Sequence, residues 1–310
     1  MIEKILEGDI RAVARALSLI EEDGGRGTQG LLKSLFTHSG NSLVVGITGG
    51  TGTGKSTLVE GLAHEFLKTT QKVGIIAVDP TSPFSGGAIL GDRIRMQSLA
   101  TNPNVFIRSM ATRGRLGGLS AAVNDALVVL GAAGFQVLIV ETVGVGQDEV
   151  DIAETADVTV VVLIPGMGDD VQTIKAGIME IGDVFVLNKA DRDGAEKARL
   201  ELDALCSLLV PKQGWIPPIL ETVATQRQGL SELVSAIFDF KSKVMGSESL
   251  LKQRIDFCRT RLVDLLRNRV VDEILSKIGS EELDHFAERM AAHELDPYSA
   301  VEELVKLGKS

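Results

Sequence analysis

Six short apolar runs punctuate the middle of the chain: SLVVGIT (42–48), KVGIIAVD (72–79), NVFIRSM (104–110), QVLIVET (136–142), VTVVVLI (158–164) and DVFVLNK (183–189). Each is continuous rather than alternating, the pattern of strands buried on both faces of a parallel sheet. Stretches compatible with helices lie between most of them, including 55–69, 118–132 and 171–180. Strands alternating with helices predict a doubly wound α/β core with a mostly parallel sheet over 41–243.

Upstream, Ile5, Ile10, Val13, Ala16, Leu17 and Ile20 recur at helical spacing. EEDGGRGTQG interrupts the pattern and LLKSLF resumes it, so 1–40 reads as a helical N-terminal extension. Beyond Lys241 the strand-like runs stop. Leu251, Ile255, Cys258, Leu262, Leu265, Val270, Ile274 and Ile278 form a long amphipathic stripe, and Asp296 before Pro297 has the form that opens a final helix. Residues 244–310 therefore read as a helical C-terminal arm. A helix of about 30 residues spans about 45 Å, so packing on its own core and pairing with another copy stand as equal alternatives.

Composition narrows the partners. Lys and Arg total 32 against 42 for Asp and Glu, a formal charge of −10 that argues against nucleic acid or an anionic membrane surface as the main partner. Cys206 and Cys258 match no metal or redox spacing, and four histidines add little material for a soft-metal site. The N-terminal MIEKILEGDIRAVARAL carries charges throughout, and the longest apolar run, 158–165, is too short to span a bilayer. A soluble, cytoplasmic protein is expected.

Gly49-Gly50-Thr51-Gly52-Thr53-Gly54-Lys55-Ser56 fits G-x-x-x-x-G-K-[ST] and stands between a predicted strand and a predicted helix, with Thr57 following. Such a loop turns backbone N–H groups toward an anion, and the helix N-terminus adds its positive end. Lys55 is placed to reach the β- and γ-phosphates, and the Ser56 hydroxyl to bind Mg²⁺. About 130 residues further on, Asn188-Lys189-Ala190-Asp191 closes the run VFVLNK. A carboxylate at Asp191 would accept from guanine N1–H and the exocyclic amine, a donor pair adenine lacks. Lys189 would lie along the base plane, and Asn188 would tie its loop to the phosphate side. Thr222-Val223-Ala224 ends another apolar segment and offers a backbone contact to the guanine oxygen. Together these residues read as a GTP site.

Candidate metal and switch residues lie between the two motifs. Asp79 ends the second apolar run, Asp92 stands in GGAILGDRIRM, and Glu141 ends LIVE. Mg²⁺ takes oxygen ligands and keeps several waters, so one hydroxyl with a few carboxylates suffices. Glu141-Thr142-Val143-Gly144 stands where many GTPases carry D-x-x-G, which gives Gly144 a place beside the γ-phosphate. Gln147 and the glycine-rich, acidic segment 165–177 with Lys175 are further switch candidates. Arg108, Arg113 and Arg115 could equally meet phosphate, a partner or solvent.

The blocks GKST, VDPTSPFSGGAILGDRIRM, RSMATRGRLGGLS, VETVGVGQDE, PGMGDDVQTIKAGIMEI and NKAD closely resemble the methylmalonyl-CoA mutase-associated GTPases. The resemblance is strong over about 40–240, and both helical ends agree with it. Thr51 departs from it, standing where that family usually has proline. The resemblance implies a P-loop NTPase fold with a C-terminal dimerisation arm. It further implies a GTP-hydrolysing chaperone that gates cofactor loading and protects an adenosylcobalamin-dependent acyl-CoA mutase. By the same carry-over Lys55 and Ser56 hold phosphate and Mg²⁺, Asp79, Asp92 and Glu141 surround the metal, and Asn188, Lys189 and Asp191 read guanine. Lys55 and Glu141 are the catalytic candidates. A small-molecule or protein kinase, a nickel-insertion GTPase and a non-hydrolysing GTP-binding scaffold are the rivals. The guanine-reading Asp191, the scarcity of His and Cys, and intact Lys55, Ser56 and Glu141 argue against them in turn.

Overall fold

The computed structural model describes residues 1–23, 27–79, 96–111, 120–142, 148–166, 178–209, 211, 214–244 and 248–309. Seven parallel strands form one sheet: β1 (Leu43–Thr48), β2 (Val73–Asp79), β3 (Val105–Ala111), β4 (Val137–Glu141), β5 (Val158–Leu163), β6 (Val184–Asn188) and β7 (Ile219–Thr222). Their order is β3-β2-β4-β1-β5-β6-β7. All six apolar runs are strands, and the short segment ending at Thr222 is the seventh.

The continuous apolar runs follow from burial on two sides. On one face, Val45, Ile47, Ile75, Ile139, Val160, Val162 and Val186 pack against helices Lys55–Phe66 and Leu230–Val244 through Leu58, Leu62, Phe66, Leu233, Ile237 and Phe240. On the other, Ile76, Val78, Phe106, Met110, Leu138 and Val140 meet helix Ser120–Ala132 and the N-terminal helices. Val161, Leu163, Phe185 and Leu187 on that face meet helix Ala195–Cys206. Helices on both faces of a parallel sheet leave no strand face for water, so polar alternation never arises.

The N-terminal segment forms three helices, Ile2–Leu6, Ile10–Asp23 and Gln29–Phe36. Ile5, Val13, Ala16, Leu17 and Ile20 are fully buried in the same cluster as the strand residues. Ile10 departs from the expected face and is 37% exposed. The chain breaks at Gly8, which has φ 80°, and Asp9 caps the new helix by accepting from Ala12 N–H at 2.9 Å. Ile10 is thus the first residue of a second helix rather than part of one continuous stripe. Because Leu17 lies in the sheet's own core, Leu17→Ala is expected to destabilise this unit by about 2–5 kcal/mol in urea unfolding. A loss below about 0.5 kcal/mol would mean that these helices form a detachable appendage.

Residues 1–250 form one compact unit and 251–310 a second. In the second unit, helix Glu248–Ile278 is followed by Ser280–Ala291 and Pro297–Lys309. Asp296 caps the last helix as its spacing predicts, accepting from the N–H groups of Tyr298 and Ser299, each at 3.0 Å. Gly279 separates the first two helices, just beyond Ile278, where the apolar stripe ends. Phe286 and Ala300, one on each of the last two helices, are buried, whereas Leu251, Ile255, Leu262 and Leu265 of the long helix are 50–67% exposed. Among the described residues no helix is long and apolar enough to cross a membrane. Cys206 is buried, and burial pushes its thiol up to about 11, so it stays protonated and inert at neutral pH.

Candidate active site

The carboxyl ends of β1, β4, β6 and β7 converge on one edge of the sheet, where ligands bind in open α/β folds. β1 leads directly into 49–54 and then into helix Lys55–Phe66. Gly49 has φ 138°, and a Cβ there would overlap the carbonyl oxygen of Val162 on β5. Only glycine lets the chain leave the sheet at that point. Gly54, in the left-handed region, precedes the helix as its N-cap. The helix that starts there brings its positive end to the loop.

Lys55 is 94% buried on the side of this loop, and its Nζ donates to Gly49 O at 2.7 Å and Gly50 O at 3.0 Å. The ammonium is thereby fixed across the loop rather than free in solvent. The next residue points the other way: Ser56 Oγ donates to Glu141 Oε1 at 2.7 Å. Glu141 ends β4, is 5% exposed, and lies opposite Ile47 of β1 in the parallel register. The first turn of the helix that follows β1 and the end of the neighbouring β4 therefore carry a hydroxyl and a buried carboxylate to one point. Both donors are oxygen, the set a hard cation such as Mg²⁺ prefers.

Asn188 joins the two motifs. Its Nδ2 donates to Thr53 O at 2.8 Å, while its Oδ1 accepts from Thr222 Oγ1 at 3.1 Å and Ala224 N–H at 3.2 Å. Asn188 and Thr222 are nearly sealed from solvent. The adjacent Lys189, at φ 57°, donates from Nζ to Gly52 O at 2.7 Å. Hence two consecutive side chains, the last of β6 and the one after it, brace the loop from β1. Asp191, two residues later, is exposed at the same edge.

The 222–224 segment differs from the sequence reading in one respect. The N–H of Ala224 is held by Asn188 and that of Val223 by Gln228 O at 3.2 Å. A contact from this segment to a guanine oxygen would require one of those bonds to be exchanged for the base. The reading missed the double use of Asn188. Its only sequence signal is the pairing of Asn188 with a Thr at the end of the next strand.

Gly50, Thr51, Gly52, Thr53, Gly54, Lys55, Ser56, Thr57, Asn188, Lys189, Asp191, Thr222, Val223, Ala224 and Glu141 are thus all at the carboxyl edge of the sheet. The backbone of Asp79 ends β2, two residues beyond the Ala77 that pairs with Glu141. Asp92, Gly144, Gln147, Arg113, Arg115 and Lys175 lie outside the described residues. Arg108 is settled: its guanidinium pairs with Glu21 on the second N-terminal helix and donates to Ser18 Oγ at 3.3 Å.

Comparison with known proteins agrees with this geometry. A family model described as "Methylmalonyl Co-A mutase-associated GTPase MeaB" matches residues 13–281. A Pyrococcus horikoshii protein named as a GTPase is 48% identical over 307 residues, covering 97% of this chain and 95% of its own. The mitochondrial methylmalonic aciduria type A homolog of Caenorhabditis elegans is 32% identical, over 83% of this chain and 69% of its own. Among solved structures, one titled a LAO/AO transport system kinase superposes with a TM-score of 0.72 at 27% identity, covering 100% of this chain and 96% of that one. A match over most of the chain, on a sheet whose loops carry both nucleotide motifs, leaves one conclusion: the chain belongs to the MeaB family of methylmalonyl-CoA mutase-associated GTPases.

Proposed function

We propose that this GTPase is a nucleotide-timed chaperone of an adenosylcobalamin-dependent acyl-CoA mutase, with methylmalonyl-CoA mutase as the first client to test. The observation that carries the proposal is the family match over 13–281, whose description names association with that mutase. Its gating of cofactor loading and protection of the mutase would be timed by GTP binding and hydrolysis in a cytoplasmic protein.

The residues divide the work. Lys55 lies across the phosphate loop, placed to offset charge on the β- and γ-oxygens as it develops. Ser56, oriented by Glu141, would hold Mg²⁺, with Asp79 and Asp92 completing its surroundings. When bound, the ion neutralises phosphate charge. Asp191 reads the guanine edge, while Asn188 and Lys189 fix its loop against the phosphate loop. Gly144 belongs to the segment that would sense the γ-phosphate. Little covalent chemistry is required, since phosphoryl transfer to water depends on positioning and charge stabilisation.

A second copy of the chain is the natural cover for the long helix. Leu251, Ile255, Cys258, Leu262 and Leu265 repeat at four- and three-residue steps, a coiled-coil seam, and all are exposed in the single chain. Such a stripe supports a homodimer formed through the arm.

The test is co-elution with purified mutase in different nucleotide states. A complex whose stability differs between GDP and a non-hydrolysable GTP analogue is expected. Equal or absent binding in both states, against every adenosylcobalamin-dependent acyl-CoA mutase tried, would contradict the chaperone role while leaving the GTPase intact.

A further inference from the structure

Thr53 sits at the centre of the phosphate loop and is fully buried. Its hydroxyl donates to Gly50 O at 2.9 Å, and its own N–H reaches the same oxygen at 3.4 Å. Its carbonyl is the acceptor for Asn188 Nδ2. The Gly50 oxygen also supports Lys55 Nζ at 3.0 Å. One threonine thus ties together the turn, the lysine's resting place and the base-reading loop.

Gly50-Thr51-Gly52-Thr53 is a four-residue turn. Gly52, its third residue, has φ 81°, the value that a type II turn requires there. The backbone bond closing the turn lies beyond the usual N–H···O range, so the hydroxyl makes the better closure. That matters in a stretch with glycine at 49, 50, 52 and 54, where the unliganded chain has many alternative conformations. Threonine itself is stiff at χ1, so its hydroxyl is held where the bond forms. Valine would fill the same space but could not close the turn.

We propose that Thr53 is a positioning residue for nucleotide binding, whose hydroxyl latches the phosphate loop into its anion-receiving shape before the nucleotide arrives. Without the latch the Gly50 carbonyl can turn toward the incoming phosphate, where an oxygen repels rather than binds. The inference rests on the phosphate-site reading of 49–56 and adds the residue that pre-organises it.

The experiment measures binding of fluorescent GDP with Mg²⁺ to the full-length protein, beside the thermal midpoint of the nucleotide-free form. Thr53→Val is expected to bind about three- to tenfold more weakly, the scale of one net hydrogen bond, with its nucleotide-free midpoint lowered by no more than the few degrees that one such bond is worth. Thr53→Ser, which keeps the hydroxyl, should stay within about twofold of the wild type. Thr51→Pro added to Thr53→Val should recover most of the loss, because proline at the second turn position fixes φ near −65° by another means. A merely space-filling threonine would give the opposite order, with valine tolerated and serine weakened. Wild-type binding with an unchanged Thr53→Val, or serine as weak as valine, overturns the latch alone. Failure of the wild type to bind GDP overturns the phosphate-site reading and the latch with it. Should Thr53→Val not fold, Thr53→Ala read the same way decides the question.

Discussion

Lys55→Ala is expected to lower the rate of GTP hydrolysis by about 100- to 1,000-fold in single-turnover measurements, the usual effect of removing one pre-organised charge donor. The buried ammonium is held across the loop at 2.7 and 3.0 Å from two carbonyl oxygens, so its charge is fixed at the loop that would receive the phosphates. Alanine removes the charge together with the ammonium's bonds to both carbonyls. Lys55→Arg should fail to restore the rate, because a planar fork cannot occupy the pocket of a compact ammonium. Retention of the secondary-structure signal would show that the loss lies in the site. A Lys55→Ala rate within tenfold of wild type would mean that the phosphate is held elsewhere.

The second large effect concerns the base. Asp191 is exposed at the sheet edge, on a loop that Asn188 and Lys189 clamp to the phosphate loop. A carboxylate there would accept two donors from guanine. Asp191→Asn places an amide N–H against a guanine donor and should weaken GDP binding by about 100-fold or more. Xanthine carries an oxygen in place of the exocyclic amine, so the same variant should bind xanthosine diphosphate better than GDP. Competition titration against fluorescent GDP reads both changes. Unchanged guanine preference would show that another residue reads the base.

Much of this is legible in the sequence. Strands buried on both faces write themselves as unbroken runs such as VTVVVLI, and the glycine-rich loop is fixed by sterics that only its composition satisfies. Asn188 was expected to reach the phosphate side, and its bond to Thr53 O does so. Other features depended on long-range packing that local pattern does not encode. The N-terminal helices read as an extension, yet Leu17 and Ile20 sit in the core with Phe106 and Met110, more than 80 residues away in sequence. Arg108 had three equal readings, because nothing near it in sequence points to Glu21. Thr53 is legible as part of the nucleotide-binding loop, but not as the residue that closes its turn. Its hydroxyl bond follows from the turn geometry, which the motif's letters do not show.

The most direct test of the central claim is steady-state GTP turnover by the purified protein, with and without an adenosylcobalamin-dependent acyl-CoA mutase from the same organism and with ATP as the control nucleotide. Turnover selective for GTP that changes when the mutase is added is the predicted result. GTP turnover indifferent to every such mutase would contradict the chaperone role, and turnover favouring ATP would contradict the assignment of Asp191.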